Sequence, residues 1–437
     1  MASHVIITWL VIFSFICNSA KSISDNNQLC SSNSDYKDAL SKGILFFEGQ
    51  RSGKLPATQR VKWRADSALS DGNLENVNLS GGYYDAGDNV KFGWPMAFSV
   101  SLLSWAATEY KNEINSAKQL PNLRSAIKWG TDFLIRAHTS STTLYTQVGE
   151  GKRDHECWER PEDMDTPRTL YKITSTSPGT EVAAEAAAAL AAAAIVFRDS
   201  DSKYSATLLR HSELASYQEF LEGKTSLSKY KNDVDSFVCA LMPGSSSVQI
   251  KTTPGGLLYT RDSSNLQYVT SASMILVVYS KILTEARADG VQCGSVKFSA
   301  SKIKSFAKSQ VDYILGSNPL KMSYMVGFGS KYPTQLHHRG ASIPSIQAHP
   351  AKVGCSDGLS TYYSSSKPNP NTHMGAIVGG PDSNDHFTDS RSDFSHLEPT
   401  TYMNAAFVGS VAALLGPTKQ DCSHLQMHHN RSSLVDY

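Results

Sequence analysis

The sequence lacks the signals of several protein classes. Its 437 residues carry a formal net charge of +1, and no basic block interrupts that balance, which disfavours a general nucleic-acid-binding protein. No G-x-S-x-G stretch stands at a predicted strand-to-helix turn, and neither H-E-x-x-H nor C-x-x-C occurs. These absences argue against a serine hydrolase, a zinc protease and a zinc ribbon. We therefore expect no metal and no cofactor.

Cysteine is scarce and widely spaced. Of seven cysteines, Cys17 lies in an apolar N-terminal segment. The six others are Cys30, Cys157, Cys239, Cys293, Cys355 and Cys422. In an oxidising compartment they are compatible with about one to three disulfides, whose pairing a sequence cannot give.

The first 22 residues, MASHVIITWLVIFSFICNSAKS, fit a secretory signal peptide. The apolar run from Val5 to Ile16 is too short to span a bilayer, and small residues follow it. The alternative is a buried N-terminal helix. No later segment is expected to reach transmembrane length, so we expect a secreted, extracellular protein that is free of the membrane after cleavage at Ala20 or Ser22.

The rest of the chain predicts helices separated by long loops. Thr180–Phe197, TEVAAEAAAALAAAAIVF, is the strongest because alanine has the highest helix propensity and Leu190 and Ile195 give it apolar surface to bury. Strand alternation is scarce, so the chain is predicted to be all-α. Further helices are expected at Tyr36–Phe47, Met96–Tyr110, Leu123–Ala137, Leu266–Ala286, Lys302–Leu315 and Asn404–Leu415.

Two long segments, residues 139–178 and 316–400, contain few periodic runs but many Gly, Pro, Asp, His and aromatic residues. Loops longer than about 15 residues inside a domain are generally functional or disordered, and the aromatic content argues against disorder. We interpret them as ordered loops that form a binding face on a helical scaffold. No linker or repeat divides the chain, so one domain over residues 30–416 is expected, followed by a short tail over 417–437.

Three loop regions hold the residues that could carry chemistry. They are GGYYDAGDNVKFGWP at 81–95, DHECWERPEDMDTPR at 154–168, and a third region from LHHRG at 336–340 to FTDSRSDFSHLEPTTYMNA at 387–405. In the first, Asp85 and Asp88 stand three apart among aromatic residues. Gly, Asp and Asn are also the ordinary residues of turns, so this stretch alone does not separate a turn from a site.

Paired carboxylates on aromatic surfaces are typical of glycoside hydrolysis. One carboxylic acid protonates the leaving oxygen, and the second attacks the sugar or activates water. Aromatic rings pack on sugar faces while Arg and His hold hydroxyl groups. The candidates are Asp85, Asp88, Asp389 and Glu398, with His337 and Arg339 as polar clamps. For Asp389, a structural ion pair with Arg391 or Arg339 is the alternative.

The acidic loop 154–168 offers a second alternative, a calcium site. Its acids are Asp154, Glu156, Glu159, Glu162, Asp163 and Asp165. The loop lacks the ligand order and the glycine of an EF-hand, so calcium is the weaker reading.

These motifs resemble one known family. SYMVGFGSKYPTQLHHR at 323–339 is similar to the histidine signature of glycoside hydrolase family nine, and FTDSRSDFSHLEPTTYMNA resembles its second signature. YYDAGDN, DHECWERPEDMDTPR, VDYILGSNP and PNPN at 368–371 are similar to stretches of the plant secreted cellulases of that family. The resemblance covers nearly everything after the signal peptide, with independent motifs in the right order.

The resemblance implies an all-α catalytic domain, an (α/α)6 barrel whose long loops form an open substrate cleft. It implies a cell-wall endoglucanase, a monomer that hydrolyses internal β-1,4-glucosidic bonds of cellulose and related glucans with inversion. By matching position, Glu398 resembles the general acid, Asp88 the general base, and Asp85 the carboxylate that helps to hold the water. His337, Arg339 and Asp389 match other positions around the cleaved unit. Tyr84, His155, Trp158 and Tyr402 are similar to substrate-binding positions, with a core role as the alternative for Trp158.

This assignment makes a physical demand on two carboxyl groups. Glu398 must be protonated near working pH, so its pKa should be raised, while Asp88 must stay ionised. An inverting enzyme leaves room for water, so the two groups should lie about 6.5–9.5 Å apart.

The chain departs from the family after LLRH at 208–211. Family members continue there through a Cys- and aromatic-rich segment, whereas this sequence reads HSELASYQEFLEGKTSLSKY. Several dozen residues are missing near 213–217, so the barrel is expected to lack part of one wall. The alternative to an active enzyme is therefore an inactive or weakly active, glucan-binding truncated variant.

Overall fold

The computed structural model describes residues 33–216, 227–245 and 249–415. Helix α1 covers residues 33–49. The other helices are α2 (Gly93–Glu109), α3 (Lys111–Ser116), α4 (Leu120–Ala137), α5 (Gly151–His155), α6 (Thr180–Phe197), α7 (Ser202–Ser216), α8 (Leu227–Leu241), α9 (Leu266–Glu285), α10 (Ala300–Ile314), α11 (Arg339–Ser342), α12 (Cys355–Asp357), α13 (Phe394–Leu397) and α14 (Thr401–Leu414). A 3₁₀ turn, Asn73–Glu75, and a π turn, Gly358–Tyr363, complete the helical segments.

The chain divides into two compact units. Residues 39–413 form one unit, which contains every candidate site residue; residues 1–38 and 414–437 form the other, of which 33–38, 414 and 415 are described. The predicted signal peptide (1–22) and tail (417–437) lie outside the described residues. The predicted domain boundaries therefore stay predictions.

The helices form where propensity and periodicity place them, and each predicted helix is present. Helix α4 has Pro121 in its first turn and buries one apolar face that includes Leu123, Ile127 and Phe133. Helix α6 packs against α2 and α7, and buried alanines such as Ala189 and Ala193 let those helices approach closely. Helices packed on helices are the main regular structure of the unit, as an (α/α)6 barrel requires.

Two helices correct the expectation that no later segment reaches transmembrane length. Thr180–Phe197 and Leu266–Glu285 are both long and apolar enough to cross a bilayer. They are core helices instead: α6 packs on α2 and α7, and α9 packs on α10. Both helices pack against protein and are therefore rich in alanine or β-branched residues. These residues give the two helices their high hydropathy.

A small sheet occupies a segment that was expected to be loop. The strands are β1 (Lys91–Phe92), β2 (His138–Ser140), β3 (Thr143–Val148) and β4 (Leu170–Ile173), with β3 pairing antiparallel with the other three. A separate hairpin joins β5 (Val291–Cys293) to β6 (Val296–Phe298). These strands have two to six residues, which is too short for alternation to be recognised in a sequence.

The candidate site lies at the N-terminal ends of α2 and α14. The DAGDN turn leads through β1 into α2, and Glu398 precedes α14. The two helices are joined near their first turns, where Ser99 Oγ donates to Thr401 Oγ1 at 3.1 Å. Helix N-termini favour negative charge, so this end of the scaffold suits carboxylates.

The junction between α7 and α8 coincides with the departure from the family pattern. Helix α7 ends at Ser216 and α8 begins at Leu227, while residues 217–226 lie outside the described part of the chain. Two helices of 15 residues each thus flank the place where this sequence has fewer residues than the family pattern.

Candidate active site

Backbone hydrogen bonds join the three predicted loops. The amide of Arg339 donates to Gly87 O at 3.0 Å, and the amide of His337 donates to Leu397 O at 3.2 Å. The amide of Thr401 donates to Asp85 O at 3.0 Å. The histidine loop therefore lies between the DAGDN turn and the segment that carries Glu398.

The DAGDN turn and the histidine loop approach each other so closely at Gly87 that only glycine, which has no Cβ, fits there. A Cβ added to Gly87 would lie 2.0 Å from His337 O and 3.1 Å from Glu398 Oε1. The Gly87 amide donates to Glu398 Oε1 at 3.1 Å. The glycine of DAGDN thus allows two loops to touch and binds the carboxyl group that was predicted to be the general acid.

The rest of the turn is also held on its backbone. Gln50 Nε2 donates to Ala86 O at 2.7 Å, and the Asp85 amide donates to Val90 O at 3.1 Å. The Oε1 atom of Gln50 lies 2.8 Å from His338 Nε2 and 3.0 Å from His373 Nε2. Since these ring nitrogens must donate to the amide oxygen, His338 is part of the support beneath the turn.

A buried ion network lies behind the turn. Lys91 and Arg168 both contact the Asp71 carboxylate, with Lys91 Nζ 2.7 Å from Oδ2. Burial lowers the pKa of Lys91 to about 8. Arg168 Nη1 also donates to Asn89 O at 2.6 Å. Removing one member would leave an uncompensated buried charge, so the network fixes the position of the turn.

Glu398 has the electrostatics of a proton donor. It follows α13 in an extended conformation before Pro399, and its side chain lies at the foot of the DAGDN turn. Burial and the neighbouring Asp88 raise the pKa of Glu398 to about 7, against smaller opposing effects of Arg339 and the Gly87 hydrogen bond.

Asp85 and Asp88 face Glu398 from the turn. Asp88 is buried, with Oδ1 accepting from the Val90 amide at 3.4 Å. Burial, followed by the charges of Asp88 and Glu398, raises the pKa of Asp85 well above its ordinary value. Asp85 Oδ1 is buried and has no hydrogen-bond partner among the described residues. The three carboxyl groups therefore lie close enough to interact electrostatically, and the pKa values of Asp85 and Glu398 are both raised.

His337 is held as a neutral acceptor. Its Nδ1 lies 2.8 Å from Arg391 O, so Nδ1 must carry the hydrogen and Nε2 is left with a lone pair. Burial lowers the pKa of His337 to about 4. Its ring packs edge-on against Trp158, with centroids 4.9 Å apart, and lies 6.0 Å from the ring of Phe394, which is exposed.

His155 and Tyr402 also border the carboxyl groups. His155 is largely exposed, and its Nε2 lies 3.4 Å from Asp88 Oδ2; this contact raises the pKa of His155. Tyr402 is partly buried, and its pKa is raised first by burial and then by the charges of Asp85 and Glu398. Both side chains therefore lie beside the carboxyl groups.

Three predicted substrate-binding residues lie in the interior. Tyr84 is 2% exposed, and its hydroxyl donates to Ser67 Oγ at 2.9 Å. Trp158 is also 2% exposed and donates from Nε1 to Ser342 Oγ at 2.9 Å. Arg339 is buried over the Trp158 ring. The described polar contacts of Tyr84 and Trp158 are thus with the protein, and the burial of Trp158 favours its core alternative.

Arg339 binds protein carbonyl groups. It donates to Cys157 O at 3.0 Å, to Gly87 O at 3.1 Å and to Asp154 O at 2.9 Å. A single guanidinium therefore ties the histidine loop to both the DAGDN turn and the acidic loop.

Asp389 anchors the start of the histidine loop. Its carboxylate accepts from the Thr334 amide and hydroxyl, each at 2.8 Å, and from the Gln335 amide at 2.9 Å. Arg391 instead donates to Asn369 and to backbone carbonyl groups. The Asp389 carboxylate therefore has a structural role through Thr334 and Gln335, whereas the alternative of an ion pair with Arg391 or Arg339 is not among its contacts in the described residues.

The acids of the 154–168 loop are divided among separate partners. Glu159 accepts from the Asp165 and Thr166 amides, Glu162 pairs with Arg64, Asp163 pairs with Arg160, and Asp165 pairs with Lys352. Glu156 lies 4.0 Å from Lys152. Cys157 and Cys355, near Glu159, form a disulfide that ties this loop to α12; Cys239–Cys293 is a second disulfide.

Asp154 is a site neighbour that the sequence did not single out beyond the calcium alternative. It is buried, and one of its oxygens lies with Asp88 and His155 in a cluster whose ligand atoms are within 4.8 Å of one another. Burial raises its pKa to about 6, partly opposed by Arg339. Its place directly before His155 was the available signal.

Comparison with known proteins agrees with this geometry. The sequence model of Glycosyl hydrolase family 9 matches residues 36–218 and 212–411, in two segments that meet at the predicted gap. An endoglucanase of Phaseolus vulgaris is 59% identical over 482 residues, covering 93% of this chain and 97% of the relative. The alignment has 482 positions but includes only 93% of the 437 residues of this chain. This chain therefore has gaps at several dozen aligned positions.

Solved structures share the fold. An endoglucanase from the termite Nasutitermes takasagoensis superposes with a TM-score of 0.76 at 35% identity, over 87% of this chain and 98% of that chain. The cellulase Cel9M of C. cellulolyticum, solved with cellobiose, gives a TM-score of 0.71 at 27% identity over the same shares. The (α/α)6 barrel prediction is thereby confirmed, and the chain belongs to glycosyl hydrolase family 9.

Proposed function

We propose that this chain is a secreted endo-1,4-β-glucanase that hydrolyses internal bonds of cellulose and related cell-wall glucans with inversion. It acts as a monomer, and it is free of the membrane once its signal peptide is removed. Relatives named endoglucanase, of which this chain spans 95–97%, support the activity. The predicted signal peptide at residues 1–22 supports an extracellular location.

The observation that carries the proposal is the carboxyl pocket. Glu398, with a pKa of about 7, is available as an acid that protonates the leaving glycosidic oxygen. Asp88 accepts a proton from the attacking water on the opposite side, as inversion requires. Asp85, with its buried and unpartnered Oδ1, holds that water. Asp85 and Asp88 share the DAGDN turn, and the hydrogen bond from the Thr401 amide to Asp85 O ties that turn to the segment that carries Glu398.

The neighbouring side chains bind the sugar in this proposal. Neutral His337 accepts a sugar hydroxyl at Nε2, because Nδ1 is committed to Arg391 O. His155 and Tyr402 border the same pocket, and the exposed Phe394 ring gives an apolar surface for a pyranose face. Tyr84, Trp158, Arg339 and Asp389 support these groups from within the protein.

The alternative of an inactive variant is less well supported. The gap falls between α7 and α8, whereas the carboxyl groups lie on segments near α2 and α14. The hydrogen bonds that join those segments are all present. The shortened wall is therefore expected to weaken the binding of a long chain more than the chemistry.

The test compares the wild type with Glu398→Gln on soluble carboxymethylcellulose. We expect release of reducing ends by the wild type and a loss of roughly 10²–10⁴-fold in the variant, which is the usual contribution of a general acid. Glu113→Gln changes a partly exposed acid on α3; it is the matched control and should leave activity unchanged. An inactive wild type, alongside an active Phaseolus relative, would favour the truncated, glucan-binding variant.

A further inference from the structure

Asp154 is a buried carboxylate that the proposed mechanism does not use. It lies in α5, and its side chain is only 3% exposed. Glu150 caps α5 by accepting from the Lys152 and Arg153 amides. The short helix thus fixes Asp154 on its inner side, while the next residue, His155, projects to the surface.

The Asp154 carboxylate binds the two loops that form the site. Its Oδ1 accepts from the Asn89 amide at 3.2 Å, directly after the proposed general base Asp88. Its Oδ2 lies 3.4 Å from Arg339 Nη2, and its backbone oxygen accepts from the same nitrogen at 2.9 Å. Arg339 in turn donates to Gly87 O. Both ends of the Gly87–Asn89 segment are therefore held through Asp154.

Charged groups surround Asp154 on every side that packs against it. Arg339 faces it from the histidine loop, Asp88 from the DAGDN turn, His155 from α5, and Arg168 from the end of the acidic loop. The Asp88 hydrogen bond is the main cause of the raised pKa of His155, and the charge of Asp154 adds to it. The Asp154 carboxylate and the His155 imidazole belong to one cluster whose ligand atoms lie within 4.8 Å of one another, so the charge of Asp154 acts on the imidazole at short range.

We infer that Asp154 is a positioning residue of the active site: its carboxylate fixes the turn that carries Asp88 and keeps His155 protonated beside it. The inference rests on the proposed function, because the turn matters only if Asp88 accepts a proton from water. A protonated His155, whose Nε2 lies 3.4 Å from Asp88 Oδ2, would hold that carboxylate aimed at the water. The effect of Asp154 passes through its neighbours and not through contact with the sugar.

The experiment compares Asp154→Asn with Asp165→Asn. Asparagine keeps an acceptor for the Asn89 amide but removes the charge next to Arg339. Asp165 lies on the same loop but pairs at the surface with Lys352, so its variant controls for a general loss of charge. We expect Asp154→Asn to lower kcat on carboxymethylcellulose at least about tenfold, a part of the roughly 10²–10⁴-fold of general base catalysis, with KM unchanged within about twofold.

The second readout is the titration of His155, followed by NMR of histidine-labelled protein and assigned by comparison with His155→Gln. We expect its pKa to fall by about half a unit or more in Asp154→Asn, the effect of one charge at about 5 Å through water. Asp165→Asn should leave kcat and the titration at their wild-type values.

Two results would overturn the inference: a wild-type kcat in Asp154→Asn, or an unshifted His155 titration. The second result would count even if the variant were less stable, because removing a charge from the cluster that holds the imidazole, whose ligand atoms lie within 4.8 Å of one another, must shift the titration of His155 if the inference is right. If the wild type released no reducing ends, the proposed function would fail. The His155 titration, which needs no substrate, would then decide whether Asp154 supplies the charge.

Discussion

Gly87 provides the sharpest test of how the loops are assembled. A Cβ at this position would lie 2.0 Å from His337 O and 3.1 Å from Glu398 Oε1. Because the first atom belongs to the backbone, Gly87→Ala must move the DAGDN turn or the histidine loop by about 1 Å to restore normal contact. A displacement of that size between catalytic groups costs about 10²-fold in rate.

The assay is kcat on carboxymethylcellulose, measured alongside thermal unfolding. Gly354→Ala is the matched control, because its added Cβ meets no atom within 4 Å and its φ of −82° suits alanine. We expect Gly87→Ala to lose about 10²-fold in kcat while remaining folded, and Gly354→Ala to match the wild type. Full activity in folded Gly87→Ala would refute the proposed contact between the turn and the loop that carries His337.

Three further predictions follow from titrations and cross-links. With a Glu398 pKa of about 7, activity should fall on the alkaline side with a midpoint near pH 7 in a pH–kcat profile; a midpoint near pH 5 would exclude Glu398 as the acid. Burial lowers the pKa of His373 to about 3 and that of His338 well below its ordinary value, so the unfolded chain takes up these protons first. The contribution of each neutral, buried histidine to the free energy of unfolding is fully present above about pH 6.5. As the pH falls below that value, each histidine lowers the free energy of unfolding by about 1.4 kcal/mol per pH unit. The free energy of unfolding, measured with urea at several pH values, should fall less steeply between about pH 6.5 and 4.5 in His373→Gln than in the wild type. An equal pH dependence in the two proteins would contradict this. Replacing Cys157 and Cys355 by Ser should cost about 2–5 kcal/mol of unfolding free energy and lower kcat; unchanged melting would show that the disulfide is unimportant.

The helices were predictable because their signals are local. The alanine run of Thr180–Phe197 and the apolar face behind Pro121 each specify a helix without tertiary information. Strand β3 could not be recognised, because its pairing with β1 and β4 comes from segments more than 20 residues away. The disulfide pairs needed the same long-range information, since Cys157 and Cys355 are 198 residues apart.

The candidate site was predictable in its chemistry and less so in its roles. The motifs located Asp85, Asp88 and Glu398, which the fold brings into one pocket. Sequence could not tell that Arg339 points at carbonyl groups or that Tyr84 is buried, because residue type does not specify which way a side chain faces. Asp154 was named only as a possible calcium ligand, because its place before His155 does not show that its carboxylate is buried against the DAGDN turn.

The most direct test of the central claim is the stereochemistry of hydrolysis. Wild-type protein is mixed with a soluble cello-oligosaccharide, and the anomeric protons of the new reducing ends are followed by NMR from the first minutes. The account predicts that the α-anomer appears first and then mutarotates, because water activated by Asp88 attacks the face opposite Glu398. A β-anomer appearing first, or no cleavage by a folded wild-type protein, would contradict it.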